Sequence, residues 1–229
     1  MLVATGVNND GHREVLGVQV ATSETGAAWT TFFADLVARG LAGVRLVTSD
    51  AHTGLREAIS ANLPGASWQR CRTRYAANLM SVTPKSLWPA VKAMLHSVYE
   101  QPDPNSVNAQ FDRLIEYTEQ HLPTVAEHLA HAREDLLAFT AFPKDVWTQV
   151  WSNNPNERLN KEIRRRTDAV GIFPTREAII RIVGAVSAEQ NDEWAEGRRY
   201  FSLDLLTRAR AMTDPTPETG ANTMPTITT

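Results

Sequence analysis

Asp50 and Glu157 are the two acids of this 229-residue chain whose settings could do chemistry. Glu157 lies in Trp151-Ser-Asn-Asn-Pro-Asn-Glu-Arg-Leu-Asn-Lys-Glu-Ile-Arg-Arg-Arg-Thr167, a stretch that predicts a helix entered through a capping turn. Asn153 or Asn154 can cap, because a short side-chain acceptor satisfies the orphan N–H groups of the first turn. Pro155 suits the first helical position, where a missing N–H costs nothing. Glu157 then falls near the positive end of the helix dipole, which favours a carboxylate. Leu159 and Ile163, four apart, can face a core. Arg158, Lys161, Arg164, Arg165 and Arg166 crowd the rest of the helix. A metal-binding acid beside a polyanion-binding face has this pattern; so does a solvated helix carrying a charge run.

Asp50 ends the apolar run Val44-Arg-Leu-Val-Thr48 and precedes a helix. In open α/β sheets such strand ends form ligand sites, and a carboxylate there can hold a hard divalent cation. Asp before a helix is also an ordinary N-cap. His52 reads as a partner behind that acid or as an exposed residue. Cys71 and Arg74 share a helix face, which describes a buried thiol beside a surface arginine better than a zinc site.

The elements that must position these residues follow in order. Residues 1–8 read as a strand, Asn8-Asn9-Asp10-Gly11 as a hairpin turn, and Glu14 to Ala21 as the return strand. Ser23 to Gly26 carries the capping signal of a helix running to about Arg39, with Trp29, Phe32, Phe33, Leu36 and Val37 at helical spacing. Such an aromatic stripe is core rather than binding surface. Gly40 ends that helix. A strand at Val44 to Thr48, a helix from about His52 to Asn62, a short strand at Ala66 to Arg70 and a helix from Cys71 to Ser81 complete an α/β arrangement with a mixed sheet. From Pro84 to Val150 the periodicity turns purely helical, as in an all-helical insertion. The basic helix then resumes the main domain, and an amphipathic helix follows from Thr175 to Trp194. From about Thr213 the Thr/Pro-rich tail reads as disordered.

Composition narrows the classes. A hydrophobic content of 42% supports one substantial core, or a core with an inserted subdomain. No apolar run is long enough to span a bilayer, and the first residues do not form a signal peptide. Cys71 is the only cysteine, so no intramolecular disulfide forms, which fits a reducing cytoplasm. A net charge of −3 argues against a globally basic nucleic-acid binder but leaves room for a local basic face.

Ser49-Asp-Ala-His-Thr-Gly-Leu55, Trp68-Gln-Arg-Cys-Arg72 with Tyr75 and Asn78, and Asn154 to Thr167 together resemble Mutator-type bacterial insertion-sequence transposases. Gly171-Ile-Phe-Pro174 and Asn191-Asp-Glu-Trp194 extend the likeness over about Leu2 to Tyr200. The resemblance implies an RNase H-like catalytic domain with three carboxylates, in which Asp50 is the second acid and Glu157 the third. It implies Mg²⁺ or Mn²⁺ as cofactor, held by Asp50 and Glu157, with His52, Cys71 and Arg74 behind them. It also implies DNA as partner, at the element's ends and at the target, contacted by Arg158, Lys161, Arg164, Arg165 and Arg166. The expected setting is the bacterial cytoplasm, at the nucleoid and away from membranes.

Two departures from the family pattern stand out. The family's first acid lies on a strand before the first one here, and residues 1–49 offer only Asp10, Glu14, Glu24 and Asp35, none in the family's aspartate motif. Arg74 stands where the family usually has His, so a permanent cation replaces an imidazole. The expected architecture is therefore an RNase H-like mixed sheet incomplete at its N-terminus. Residues 1–83 and 151–212 form the catalytic domain, 84–150 the all-helical insertion and 213–229 the tail. The expected function is that of a truncated transposase catalytic domain, inactive alone. The alternatives are a non-catalytic module that binds DNA or full-length transposase and inhibits it, through homo- or hetero-association, and a divergent RNase H-like nuclease using another acid.

Overall fold

The computed structural model describes residues 1–21 and 23–213. The tail expected from 213 onward lies outside the described residues, apart from Thr213, the last residue of the final helix. The elements run β1 (Leu2–Val7), β2 (Arg13–Gln19), α1 (Gly26–Ala38), β3 (Leu46–Ser49), α2 (Thr53–Asn62), β4 (Ser67–Arg70) and α3 (Arg72–Ser81). After these come α4 (Trp88–Tyr99), α5 (Pro104–His121), α6 (Pro123–Leu137), α7 (Trp147–Val150), α8 (Asn154–Val170), α9 (Arg176–Glu196) and α10 (Leu203–Thr213). The architecture is mixed α/β, mostly helical with small sheets.

Turn chemistry sets the hairpin. Asn8 Oδ1 accepts the N–H groups of Asp10 and His12, each at 3.0 Å, and Gly11 takes φ 81°, the left-handed region open to glycine. The Gly11 carbonyl then accepts the N–H groups of Tyr200 and Phe201, which ties the start of the C-terminal segment to the hairpin tip. β1 and β2 pair antiparallel with a register shift between Ala4 and Thr5, and β3 and β4 pair parallel across α2. Gly54 has a second requirement. A Cβ there would meet the Gly26 Cα at 2.6 Å, so the starts of α1 and α2 approach too closely for any side chain.

The strands do not form the single mixed sheet expected from their order. They form two separate pairs, β1–β2 and β3–β4. Val7 and Leu46 pack into one apolar cluster with Phe142, Val146 and Phe201. At its other end β1 meets α8, where Asn156 Nδ2 donates to the Val3 carbonyl, close to Glu157 and Asp50. β1 and β3 therefore run in opposite directions. Between them lies a cavity of about 1140 Å³, lined by β1, β3, the apolar face of α1 and the inner side of α8 and α9. Two buried polar atoms without a hydrogen-bond partner, Trp29 Nε1 and Asn156 Oδ1, belong to residues lining it.

The helical half packs differently. Val91, Leu95, Val107, Phe111, Leu114, Leu129, Leu136 and Phe139 form one core, which also takes in Tyr75 and Leu79 of α3 and Trp147 and Trp151. Phe139 meets Trp147 and Trp151 edge-on, at centroid distances of 5.0 and 5.4 Å, a favoured aromatic geometry.

Candidate functional site

Asp50 follows the last residue of β3, and its backbone is held from several sides. The Ser49 carbonyl accepts the N–H of Cys71 at 2.8 Å, and Ser49 Oγ accepts Trp68 Nε1 at 2.8 Å. Ser49 Oγ also donates to the Asp50 carbonyl at 3.0 Å. Asp50 does not cap α2. That place falls to His52, whose Nδ1 accepts the Leu55 N–H at 3.2 Å. His52 is thus committed to the helix end.

Cys71 and Arg74 belong to the entry of α3. Cys71 is fully buried, and its Sγ accepts the N–H of Asn153 at 3.3 Å. The Arg72 N–H donates to the Trp151 carbonyl at 2.9 Å. The Arg72 guanidinium lies over the rings of Trp151 and Tyr99, at 3.9 and 5.0 Å, a stabilising cation–π geometry. Burial lowers its pKa. These contacts lock the start of α3 to the start of α8 and so aim Glu157 at Asp50. The N-cap Asn153 makes no side-chain capping bond, and Asn154 Oδ1 accepts instead from Thr73 Oγ1 at 3.3 Å. The side-chain cap expected at Asn153 or Asn154 is therefore not made: Asn153 holds the N-cap position without a capping bond, and Asn154 is already the first helical residue. Helix α8 starts at Asn154, so Pro155 is its second residue rather than its first.

Ligand atoms of Asp50, Cys71 and Glu157 all lie within 4.8 Å of one another. Arg74 joins the two acids: its Nε is 3.3 Å from Asp50 Oδ2 and 3.1 Å from Glu157 Oε1. Burial raises the Asp50 pKa. Arg74 opposes that rise, and the charges of Glu157 and Glu24 add to it. Glu24, set aside in the sequence because it fits no motif, thus contributes to the negative field at Asp50. Two carboxylates beside a thiol suit a divalent cation, with the oxygens matching Mg²⁺ or Mn²⁺ and the sulfur a softer metal.

The basic residues of α8 divide into two groups. Arg165 donates to both oxygens of Glu162, at 2.9 and 2.6 Å. Arg166 joins Glu162 at 3.1 Å and Glu189 of α9 at 2.7 Å. The two guanidinium groups hold the Glu162 pKa down at about 2. Lys161 and Arg164 fall four and seven residues after Glu157, on the same helix face, and both are exposed. Arg158 is exposed one residue beyond Glu157. Sequence reading missed Glu162 and Glu189 as partners. The i,i+3 and i,i+4 spacing from Glu162 to Arg165 and Arg166 was the available signal.

Gln69, within the Trp68 to Arg72 motif, is fully buried. Its Nε2 donates to the Leu136 carbonyl at 2.9 Å, and its Oε1 accepts the Phe139 N–H at 2.7 Å, joining β4 to the helical half. The motif is thus a seam, with Cys71 and Arg72 on one side and Gln69 on the other. Among the described residues no helix is long and apolar enough to cross a membrane.

Comparison with known proteins agrees with the motifs. A family profile described as "Transposase, Mutator family" matches residues 1–197. The chain is 66% identical over 217 residues to the transposase for insertion sequence element IS1081 of Mycobacterium tuberculosis, covering 95% of this chain and 52% of that protein. It is 35% identical over 206 residues to the transposase for ISRM5 of Rhizobium meliloti, covering 90% of this chain and 52% of the relative. It is also 35% identical over 205 residues to the transposase for IS256 in transposon Tn4001 of Staphylococcus aureus, covering 88% and 52%. The chain spans about half the length of these curated relatives. With the family profile covering most of its residues and the motifs grouped around Asp50 and Glu157, the chain belongs to the Mutator family of transposases.

Proposed function

We propose that this chain carries part of a transposase catalytic domain of RNase H-like design, in which Asp50 and Glu157 hold Mg²⁺ or Mn²⁺ and the chain alone is inactive. The observation that carries the reading is the convergence of Asp50 and Glu157, far apart in sequence, onto one Arg74 nitrogen. When bound, the metal would stabilise charge on the attacking and leaving oxygens of an in-line phosphoryl displacement. That displacement is strand cleavage at the element's end, followed by attack of the freed 3′-hydroxyl on target DNA. The protein's own part is positional. Ser49 and Cys71 fix the two acids, while Lys161, Arg164 and Arg158 offer charge to phosphates, which supplies affinity and register but not sequence reading.

In this reading residues 1–83 and 151–212 belong to the catalytic domain, with 84–150 inserted between them. The separate core of the helical half supports the insertion, although that core reaches back into α3. Inactivity alone is supported by the cavity between β1 and β3, which two open strand edges flank. A sheet with a strand there would be continuous, and a third acid carried on it would meet Asp50 and Glu157. The same open edges favour a second reading, association with full-length transposase, since free edges recruit strands from other chains.

End-labelled DNA in Mg²⁺ or Mn²⁺ tests the proposal. The chain alone should bind DNA weakly, with strong salt dependence, and leave it uncut. Lys161→Ala with Arg164→Ala should flatten the plot of log K against log salt by about 0.9 for each lost phosphate contact. Extension by an upstream segment carrying an apolar strand and an acid should restore cleavage, which Asp50→Ala or Glu157→Ala then abolishes. Metal-dependent cleavage by the chain alone, lost on Asp50→Ala, would overturn the inactive reading. Co-purification with a full-length relative would support the second.

A further inference from the structure

The two acids of the site already share a cation. Arg74 Nε sits 3.3 Å from Asp50 Oδ2 and 3.1 Å from Glu157 Oε1, and its side chain is 54% exposed. The other arginines at this seam are engaged elsewhere. Arg72 lies over the rings of Trp151 and Tyr99, and Arg70 lies over Tyr75 at 4.8 Å. Arg74 is therefore the one placed to answer the acids and also to swing into solvent.

We propose that Arg74 is a resident counter-ion that competes with a divalent metal for the Asp50–Glu157 pair. The inference rests on the metal reading above. A metal ion joining both carboxylates at about 2 Å would bind the oxygens that Arg74 now faces, and a guanidinium held a few ångströms from a dication is repelled by it. Arginine does not lose its proton in a protein, so it cannot yield by becoming neutral, as an imidazole can. It yields by leaving. Until then it offsets the mutual repulsion of the two carboxylates, to which Glu24 adds a third negative charge. Metal binding at this site is thus an exchange of one cation for another.

Titration of chelator-stripped protein with Mn²⁺, followed by electron paramagnetic resonance and by melting temperature, tests this without any DNA. Arg74→Gln and Arg74→Met remove the charge, Arg74→Lys keeps it, and Asp50→Asn removes a ligand. We expect both neutral variants to bind Mn²⁺ about fivefold more tightly than the wild type, the gain from releasing one partly exposed ion pair. Without metal they should melt lower, and they should show the larger upward shift when Mn²⁺ is added. Arg74→Lys should stay near the wild type, and Asp50→Asn should lose binding. Equal or weaker binding by both neutral variants, with Asp50→Asn still abolishing it, would overturn the competition while leaving the metal reading standing. Absence of Mn²⁺ binding in every variant would overturn the metal reading, and the competition with it.

Discussion

Around Phe139 the rings of Tyr99, Trp147 and Trp151 close on one another, at centroid distances of 6.0, 5.0 and 5.4 Å. Around Trp29, α1 presents Phe33 and Leu36 to a half-open cavity of about 1140 Å³, and the indole N–H has no partner among the described residues. Both regions use helices with apolar stripes, yet one is filled and the other is not. Helices satisfy their own backbone groups, so the α4–α7 half needs only side chains to finish it. Strands need neighbours, and the pairs β1–β2 and β3–β4 each leave one edge facing the void. The contrast teaches that, among the described residues, the helical half closes on its own side chains, whereas the two strand pairs face a cavity that neither fills.

Substitution sharpens the contrast most where packing is tightest. Phe139→Ala should cost about 3–5 kcal/mol in urea denaturation, and Phe33→Ala, beside an existing void, about half that. Equal costs would mean that the void is closed in solution. Next in size, Gln69→Leu should cost about 2 kcal/mol, because the Leu136 carbonyl and the Phe139 N–H lose their partner in a buried place. A neutral result would show water replacing the amide and the seam to be loose.

Trp29→Phe removes the unpaired donor of the strand half. It should leave stability unchanged or raise it by up to about 1 kcal/mol, since an unsatisfied buried N–H is itself costly. A loss would reveal that something in the void pairs with the indole.

The smallest effect concerns Asp50. Its native pKa is raised, chiefly by burial, so the native state keeps that proton to higher pH than the unfolded chain does. Stability from this group is present below the ordinary aspartate value and falls as pH rises through the raised native value. Asp50→Asn should therefore match the wild type near about pH 3. At neutral pH it should exceed the wild type by roughly 0.5 kcal/mol, a figure kept small because the side chain is half exposed. Urea titrations at the two pH values measure it. A wild type more stable than the variant at neutral pH would show Arg74 outweighing burial.

Much of this was legible in the residues alone. The Asn8 to Gly11 turn, the capping signal at Ser23 to Gly26, the aromatic stripe of α1 and the helical periodicity from Pro84 to Val150 each encode local structure through φ preference or spacing. Observed element bounds depart from the sequence reading by a residue or two at most ends, as for β2 at Arg13–Gln19 and α9 at Arg176–Glu196. The motifs placed the chain in its family. What spacing could not supply is anything that depends on which distant groups meet. The strand order implied one sheet, but among the described residues β1 and β3 do not pair, and a cavity lined by both takes the place of a shared hydrogen-bond ladder.

Along α8, composition shows five basic residues. Only the packing of α9 brings Glu189 to Arg166, while Arg165 folds back onto Glu162. Arg74 could be read as a change of charge at one position. That its guanidinium bridges Asp50 and Glu157 follows from Cys71 and Arg72 fastening α3 to the start of α8. Periodicity and turn chemistry act over a few residues, so the chain specifies its elements by itself. Ion pairs and voids between remote segments are properties of how those elements pack, and they exist only in the folded molecule.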